Sequence, residues 1–249
     1  MSISYSVCDK KNRFQNIRNT LYVILYTFPV YQIPITRVLA TLEGLYHPPE
    51  SFLTYSSPFE LLVATILSAQ CTDVRVNIIT ETLFKKYRTP EEYLRVPAAE
   101  LRDDIRTCSY FNAKARYLRG VARDIIKKHG GKVPSTMEGL LALPGVGRKT
   151  AAIILHVAFG KSEGIAVDTH VFRVVRRLGL SRGRTPEKVE LDLMKAAPPE
   201  KWGELNPLLI SFGRDTCTAR DRRCGRCPFV EGCPSSKVKG REDLAKNGA

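Results

Sequence analysis

Leu140-Leu141-Ala142-Leu143-Pro144-Gly145-Val146-Gly147-Arg148-Lys149-Thr150-Ala151 joins two stretches of helical patterning, and its reading decides the fold. Gly145 and Gly147 suit a tight turn with positive φ, where a backbone without Cβ can approach a ligand closely. The N–H groups that open the following helix then point outward at the positive end of its dipole, which suits a phosphate. Taken alone, such a G-x-G turn is as compatible with a plain connector as with an anion site. Lys149, in the same basic turn, reads on residue type alone as a phosphate contact.

Outward from this turn, helical spacing recurs and period-2 alternation is hard to find. Leu118, Val121, Ala122 and Ile125 fall at i, i+3, i+4 and i+7 and paint one apolar stripe. That helix is expected over Asn112 to His129, ending at Gly130-Gly131 in a left-handed turn. Start signals repeat along the chain: Ser57-Pro58, Asp73 as a cap, Thr89-Pro90 and Thr185-Pro186. About ten helices and no sheet follow, so the fold class is all-α.

The 249 residues suffice for one large domain or two small ones, and a 43% apolar and 26% charged content is that of a globular chain. With 39 Lys+Arg against 25 Asp+Glu the net charge is +14, which suits a polyanionic partner because each phosphate neutralised releases counterions. A basic surface of the ribosomal or thermophile kind would carry the same charge. No apolar run reaches the ~18 residues of a membrane span. The nearest, Leu21 to Pro34, follows four basic residues as a signal sequence would. It contains Pro29 and Pro34 and precedes no small-residue cleavage site, so an added surface helix or an early start codon is the better reading.

Of seven cysteines, Cys8, Cys71 and Cys108 are scattered, whereas Cys217, Cys224, Cys227 and Cys233 read C-x6-C-x2-C-x5-C. An odd count with one tight cluster fits a metal site in a reducing compartment rather than a disulfide framework. Only one pair has the spacing of a zinc knuckle, so zinc and a four-cysteine iron–sulfur centre both remain open on spacing. Arg220, Arg222, Arg223 and Arg226 lie between the ligands, placed to offset a negative centre or to face phosphates.

Three stretches together resemble the endonuclease III family of iron–sulfur helix–hairpin–helix DNA glycosylases: Ser68-Ala69-Gln70, the hairpin LPGVGRKTA, and Ala166-Val167-Asp168-Thr169-His170-Val171-Phe172-Arg173-Val174. The cysteine spacing is that of the family's cluster loop, and the resemblance runs from about Thr41 to Pro234. It implies two helical lobes flanking a DNA-binding cleft. Residues 52–162 would form a six-helix barrel carrying the hairpin, while 31–51 with 163–249 would form a cluster lobe. Residues 1–30 are an extension without a family counterpart. The implied cofactor is a [4Fe–4S] cluster on the four cysteines. The implied partner is double-stranded DNA containing damaged bases or abasic sites, bound by a monomer in the cytoplasm of a prokaryote, at the nucleoid.

The resemblance also implies an activity, a bifunctional glycosylase and abasic-site lyase that removes oxidised pyrimidines. Lys149 is then the nucleophile that attacks C1′ and forms a Schiff base, which needs an amine that is neutral part of the time. Asp168 is the partner carboxylate, although an Asp before a helix is also a common N-cap. Gln70 fills the space of the extruded nucleotide. Gly145, Val146, Gly147 and Arg148 meet DNA at the hairpin, and Tyr110 or Phe111 stands where the family often has a leucine wedge. Asn206 to Gly213 replaces a His-rich family stretch. The rival readings are a monofunctional mismatch glycosylase of the same superfamily, which typically lacks the hairpin lysine, and a non-catalytic DNA-binding module.

Overall fold

Capping chemistry sets where the helices begin. The computed structural model describes residues 33–49 and 51–238, so the extension 1–30 and the end of the polar tail lie outside the described residues. Within them the chain forms eleven α-helices, two 3-10 turns and no strand beyond an isolated bridge between Cys217 and Arg222. In order these are α1 (Ile35–Leu45), α2 (Pro58–Leu67), α3 (Asp73–Lys86), α4 (Pro90–Arg95), α5 (Ala98–Asp104), α6 (Phe111–His129), α7 (Met137–Leu141), α8 (Arg148–Phe159), α9 (Thr169–Leu178), α10 (Pro186–Ala196) and α11 (Trp202–Asp215).

Ser57 and Thr185 cap α2 and α10 through their hydroxyls, each followed by a proline that has no amide hydrogen to satisfy. At α4, Thr89 and Glu92 form a reciprocal capping box. The cap of α3 is Thr72 rather than Asp73. The Thr72 hydroxyl accepts from the Arg75 amide, and Asp73 becomes the first helical residue, where its charge suits the dipole. The helix expected from Asn112 begins at Phe111 and ends as foreseen, at Gly130 with φ +58.

Two buried apolar clusters divide the fold into two lobes. One is built from α2 to α8 and includes the stripe Leu118, Val121, Ala122 and Ile125 of α6, all fully buried. Burying each large side chain of such a stripe is worth roughly 1.5–3 kcal/mol. The other joins α1 to α9, α10 and α11 and extends to Phe229 and Cys233. Among the described residues no helix is long and apolar enough to cross a membrane.

The hairpin between α7 and α8 is seated on α6. Gly145 has φ +77, and a Cβ there would lie 2.7 Å from the Tyr117 ring of α6. Gly147 departs from the expected positive φ: it is extended at φ −95, and a Cβ on it would meet nothing within 4 Å. One glycine is therefore required by the fold, while the other leaves an open approach to the backbone. Gly145→Ala should lower the unfolding free energy by about 1–3 kcal/mol in a denaturant titration, because left-handed strain and ring overlap act together.

Candidate active site

Two helices start at the same hollow. Lys149 is the second residue of α8, and Asp168 is the N-cap of α9, with its Oδ1 accepting the Val171 amide at 2.7 Å. Both line a cavity of about 1140 Å³ whose wall also includes Gln70, Asp73, His170, Phe52 and Arg214. Lys149 is exposed and Asp168 half-buried. The capping duty of Asp168 and its place in the cavity coexist, since one oxygen on the first-turn amide leaves the second available to another partner.

The segment leading to Asp168 is pinned from two sides. Asn206 Nδ2 donates to the Ala166 carbonyl at 2.7 Å, and the Ile165 amide donates to Glu190 Oε1 at 3.2 Å. The other oxygen of Glu190 accepts from Arg148 Nε at 2.7 Å. Glu190 is buried, so its charge needs this partner. The residue beside Lys149 and the segment before Asp168 therefore share one carboxylate, and that link spans the two lobes. Arg148, expected to face DNA, makes this pair through Nε while its side chain stays 41% exposed. Val146, expected at the same interface, offers no side chain there. Its side chain is buried, which leaves the backbone of the hairpin as the surface there.

Of the other residues singled out in the sequence, Gln70 joins Lys149 and Asp168 at the cavity, whereas Tyr110 and the hairpin residues 145–148 do not line it. Tyr110 is 65% exposed and Phe111 packs on the first core, so of the two it is Tyr110 whose side chain faces solvent. Gln70 and Tyr110 have φ +53 and +59 and are the two non-glycine residues with positive φ among those described. Such backbone costs about 1–3 kcal/mol per residue and gathers at working sites.

Glu190, Asn206 and Arg214 went unread in the sequence. Arg214 crosses the cleft to Asp73 Oδ2 at 2.5 Å and stacks over the Phe52 ring at 4.6 Å from its centre. Each lies far along the chain from what it touches, and only the buried face shared by Glu190 with Val189 and Leu193 hinted that a carboxylate was turned inward.

The four C-terminal cysteines line one small hollow with Arg177, Leu178 and Phe212. Burial pushes the Cys227 thiol up to about 11 and raises that of Cys233 as well. Among the described residues no three His, Cys, Asp or Glu side chains are grouped so as to hold a metal ion. Arg177 Nη1 approaches the Cys217 sulfur at 3.6 Å and donates to the Thr218 carbonyl at 2.6 Å.

Residues 63–199 match the HhH-GPD superfamily of base excision DNA repair proteins. Endonuclease III of Bacillus subtilis (strain 168) is 46% identical over 198 residues, which is 79% of this chain and 90% of that protein. The chain belongs to the endonuclease III family. Family members solved with DNA share its architecture. A trapped endonuclease III–DNA covalent intermediate is 43% identical with a TM-score of 0.76, over 81% of this chain and 94% of the other. A non-covalent endonuclease III–DNA complex is 41% identical with a TM-score of 0.77, over 85% and 97%.

At the cavity, burial lowers the His170 pKa, opposed by Asp168 and reinforced by Arg173. An imidazole that resists protonation when folded binds fewer protons than the unfolded chain, so stability rises with pH through its titration. Stability should therefore drop between about pH 7.5 and about pH 5.5, across the ordinary histidine range. His170→Asn should flatten part of that slope in chemical melts at the two values.

Proposed function

We propose that the protein is a bifunctional DNA glycosylase and abasic-site lyase of base excision repair acting on oxidised pyrimidines, with Lys149 as nucleophile and Asp168 as its partner carboxylate. The carrying observation is the convergence of Lys149, Asp168 and Gln70 on one cavity between the lobes. The amine of Lys149 attacks C1′ of the damaged nucleotide as the glycosidic bond breaks and the base leaves. The sugar ring then opens to a Schiff base, and loss of a C2′ proton expels the 3′ phosphate by β-elimination. Asp168 stabilises the oxocarbenium-like charge while the base departs and relays protons afterwards. Gln70 holds the space left by the extruded nucleotide, and Tyr110 wedges into the stack. The related endonuclease III trapped covalently on DNA supports this reading of the lysine.

The net charge of +14 supports double-stranded DNA with a damaged base or abasic site as the partner, gripped mainly through its phosphates by a monomer. The setting is the cytoplasm of a prokaryote, at the nucleoid; the bacterial relatives support the prokaryotic part of that reading. The lobes are taken as residues 52–162 and as 31–51 with 163–249.

Cys217, Cys224, Cys227 and Cys233 would hold a [4Fe–4S] cluster. Four thiols around one hollow fit it. Buried thiols with raised pKa become ligands only against a strong local positive charge, which the cluster's iron supplies when bound. Its role is to order a loop with little core of its own.

Borohydride trapping on a duplex with one thymine glycol tests the chemistry. The wild type should form a covalent adduct and Lys149→Ala none. Asp168→Asn preserves an excellent N-cap while removing the charge, so it should fold normally and lose roughly 100-fold or more in base release. Base release by the wild type without any adduct would favour a monofunctional glycosylase, and tight binding without either would leave a DNA-binding module. For the cofactor, Cys227→Ala should abolish the visible absorbance of an iron–sulfur centre in purified protein and lower its melting temperature. Stoichiometric zinc in the wild type would reject the cluster.

A further inference from the structure

We propose that Lys114 is a positioning residue that locks the Gln70 turn to the Tyr110 loop, so that the two side chains entering the DNA stack act as one rigid pair. This rests on the reading of Gln70 and Tyr110 given above.

Lys114 sits in the first turn of α6, directly after the loop that carries Tyr110, and is only 3% exposed. Its ammonium donates to the Leu67 carbonyl at 2.8 Å, the Ala69 carbonyl at 2.6 Å and the Cys108 sulfur at 3.2 Å. All three N–H donors are therefore used, and none of them meets a carboxylate. The charge is met instead by the carbonyl end of α2, the negative end of its dipole. An apolar side chain would fill the same volume without the desolvation penalty of a buried cation. What the ammonium adds is direction, three fixed bonds that bind the residue before Gln70 to the helix opened by Tyr110.

The backbone gives the lock a purpose. The Lys114 and Ala113 amides both donate to the Tyr110 carbonyl, at 3.1 and 3.0 Å, so the side chain and main chain of one residue reach both turns. These are the two turns whose exposed non-glycine residues have left-handed backbones. A strained, exposed residue persists only where its surroundings over-determine it. Cys108, whose thiol also donates to the Leu67 carbonyl at 3.3 Å, completes the brace from the other side. Without Lys114 each turn would relax on its own. Extrusion from a duplex needs both side chains in register, whereas an abasic site in single-stranded DNA needs neither.

The test compares Lys114→Met with the wild type on two substrates. One is a duplex with an oxidised pyrimidine beside a 2-aminopurine, whose fluorescence reports unstacking. The other is a single-stranded oligonucleotide with one abasic site. Loss of hydrogen bonds to a charged donor should slow single-turnover base release from the duplex by roughly 10- to 100-fold and suppress the fluorescence rise. Borohydride trapping on the single strand should stay within about twofold. Equal losses on both substrates, or no loss on the duplex, would overturn the proposal. Should Lys114→Met fail to fold, Cys108→Ala decides. It removes one of three acceptors and should slow the duplex reaction several-fold with the same sparing of the single strand, and an unchanged ratio would reject the brace. A wild type that neither traps nor unstacks would instead bring down the glycosylase reading on which the brace rests.

Discussion

The cavity lined by Lys149 and Asp168 depends on one buried carboxylate. Glu190, on α10, receives Arg148 on one oxygen and the Ile165 amide on the other. Arg148 precedes Lys149 at the start of α8, and Ile165 opens the segment that ends at Asp168. A single side chain thus fixes the distance between two helix starts that belong to different lobes. The Glu190 side chain is 6% exposed and that of Arg148 41%, so losing the arginine would leave a buried carboxylate unmatched, whereas losing the glutamate would leave a cation that water still reaches. The arrangement explains why the first arginine of α8 reaches back to α10 through its Nε.

Around that link, the two lobes contribute unlike things. The lobe of α2 to α8 supplies a dense apolar core and the hairpin seated on α6 through Gly145 and Tyr117. The lobe of α1 and α9 to α11 supplies the cap residue Asp168 and the cysteine loop, which is held by polar contacts from Arg173 and Arg177 to the carbonyls of Cys217, Thr218 and Ala219. That loop has few apolar residues of its own, and arginine forks with several fixed donors suit the task of binding irregular backbone. Arg214 and Asp73 add a second crossing of the cleft beside the cavity.

Backbone strain marks two exposed turns. Gln70 and Tyr110 are exposed and left-handed, and neither conformation is the choice of an unconstrained chain. Glycine would adopt either without cost, so the side chains themselves are what these positions retain. The buried ammonium of Lys114 lies between them, in a place where packing alone would select a hydrocarbon.

The amino-acid sequence by itself determined the all-helical class and most helix starts. These depend on local spacing and on caps within four residues, as at Ser57, Thr89 and Thr185. It also presented Lys149, Asp168 and the four cysteines, because each sits in a short contiguous motif. Local reading erred where two neighbours compete for one job, as with Thr72 and Asp73, and where a glycine is extended rather than left-handed, as at Gly147. Only the tertiary structure decided that Arg148 pairs with Glu190, that Val146 is buried, and that Tyr110 rather than Phe111 is presented outward. Those choices rest on contacts between residues dozens of positions apart. A buried charge or a buried ring is settled by which distant partner arrives beside it, and no local pattern encodes that arrival.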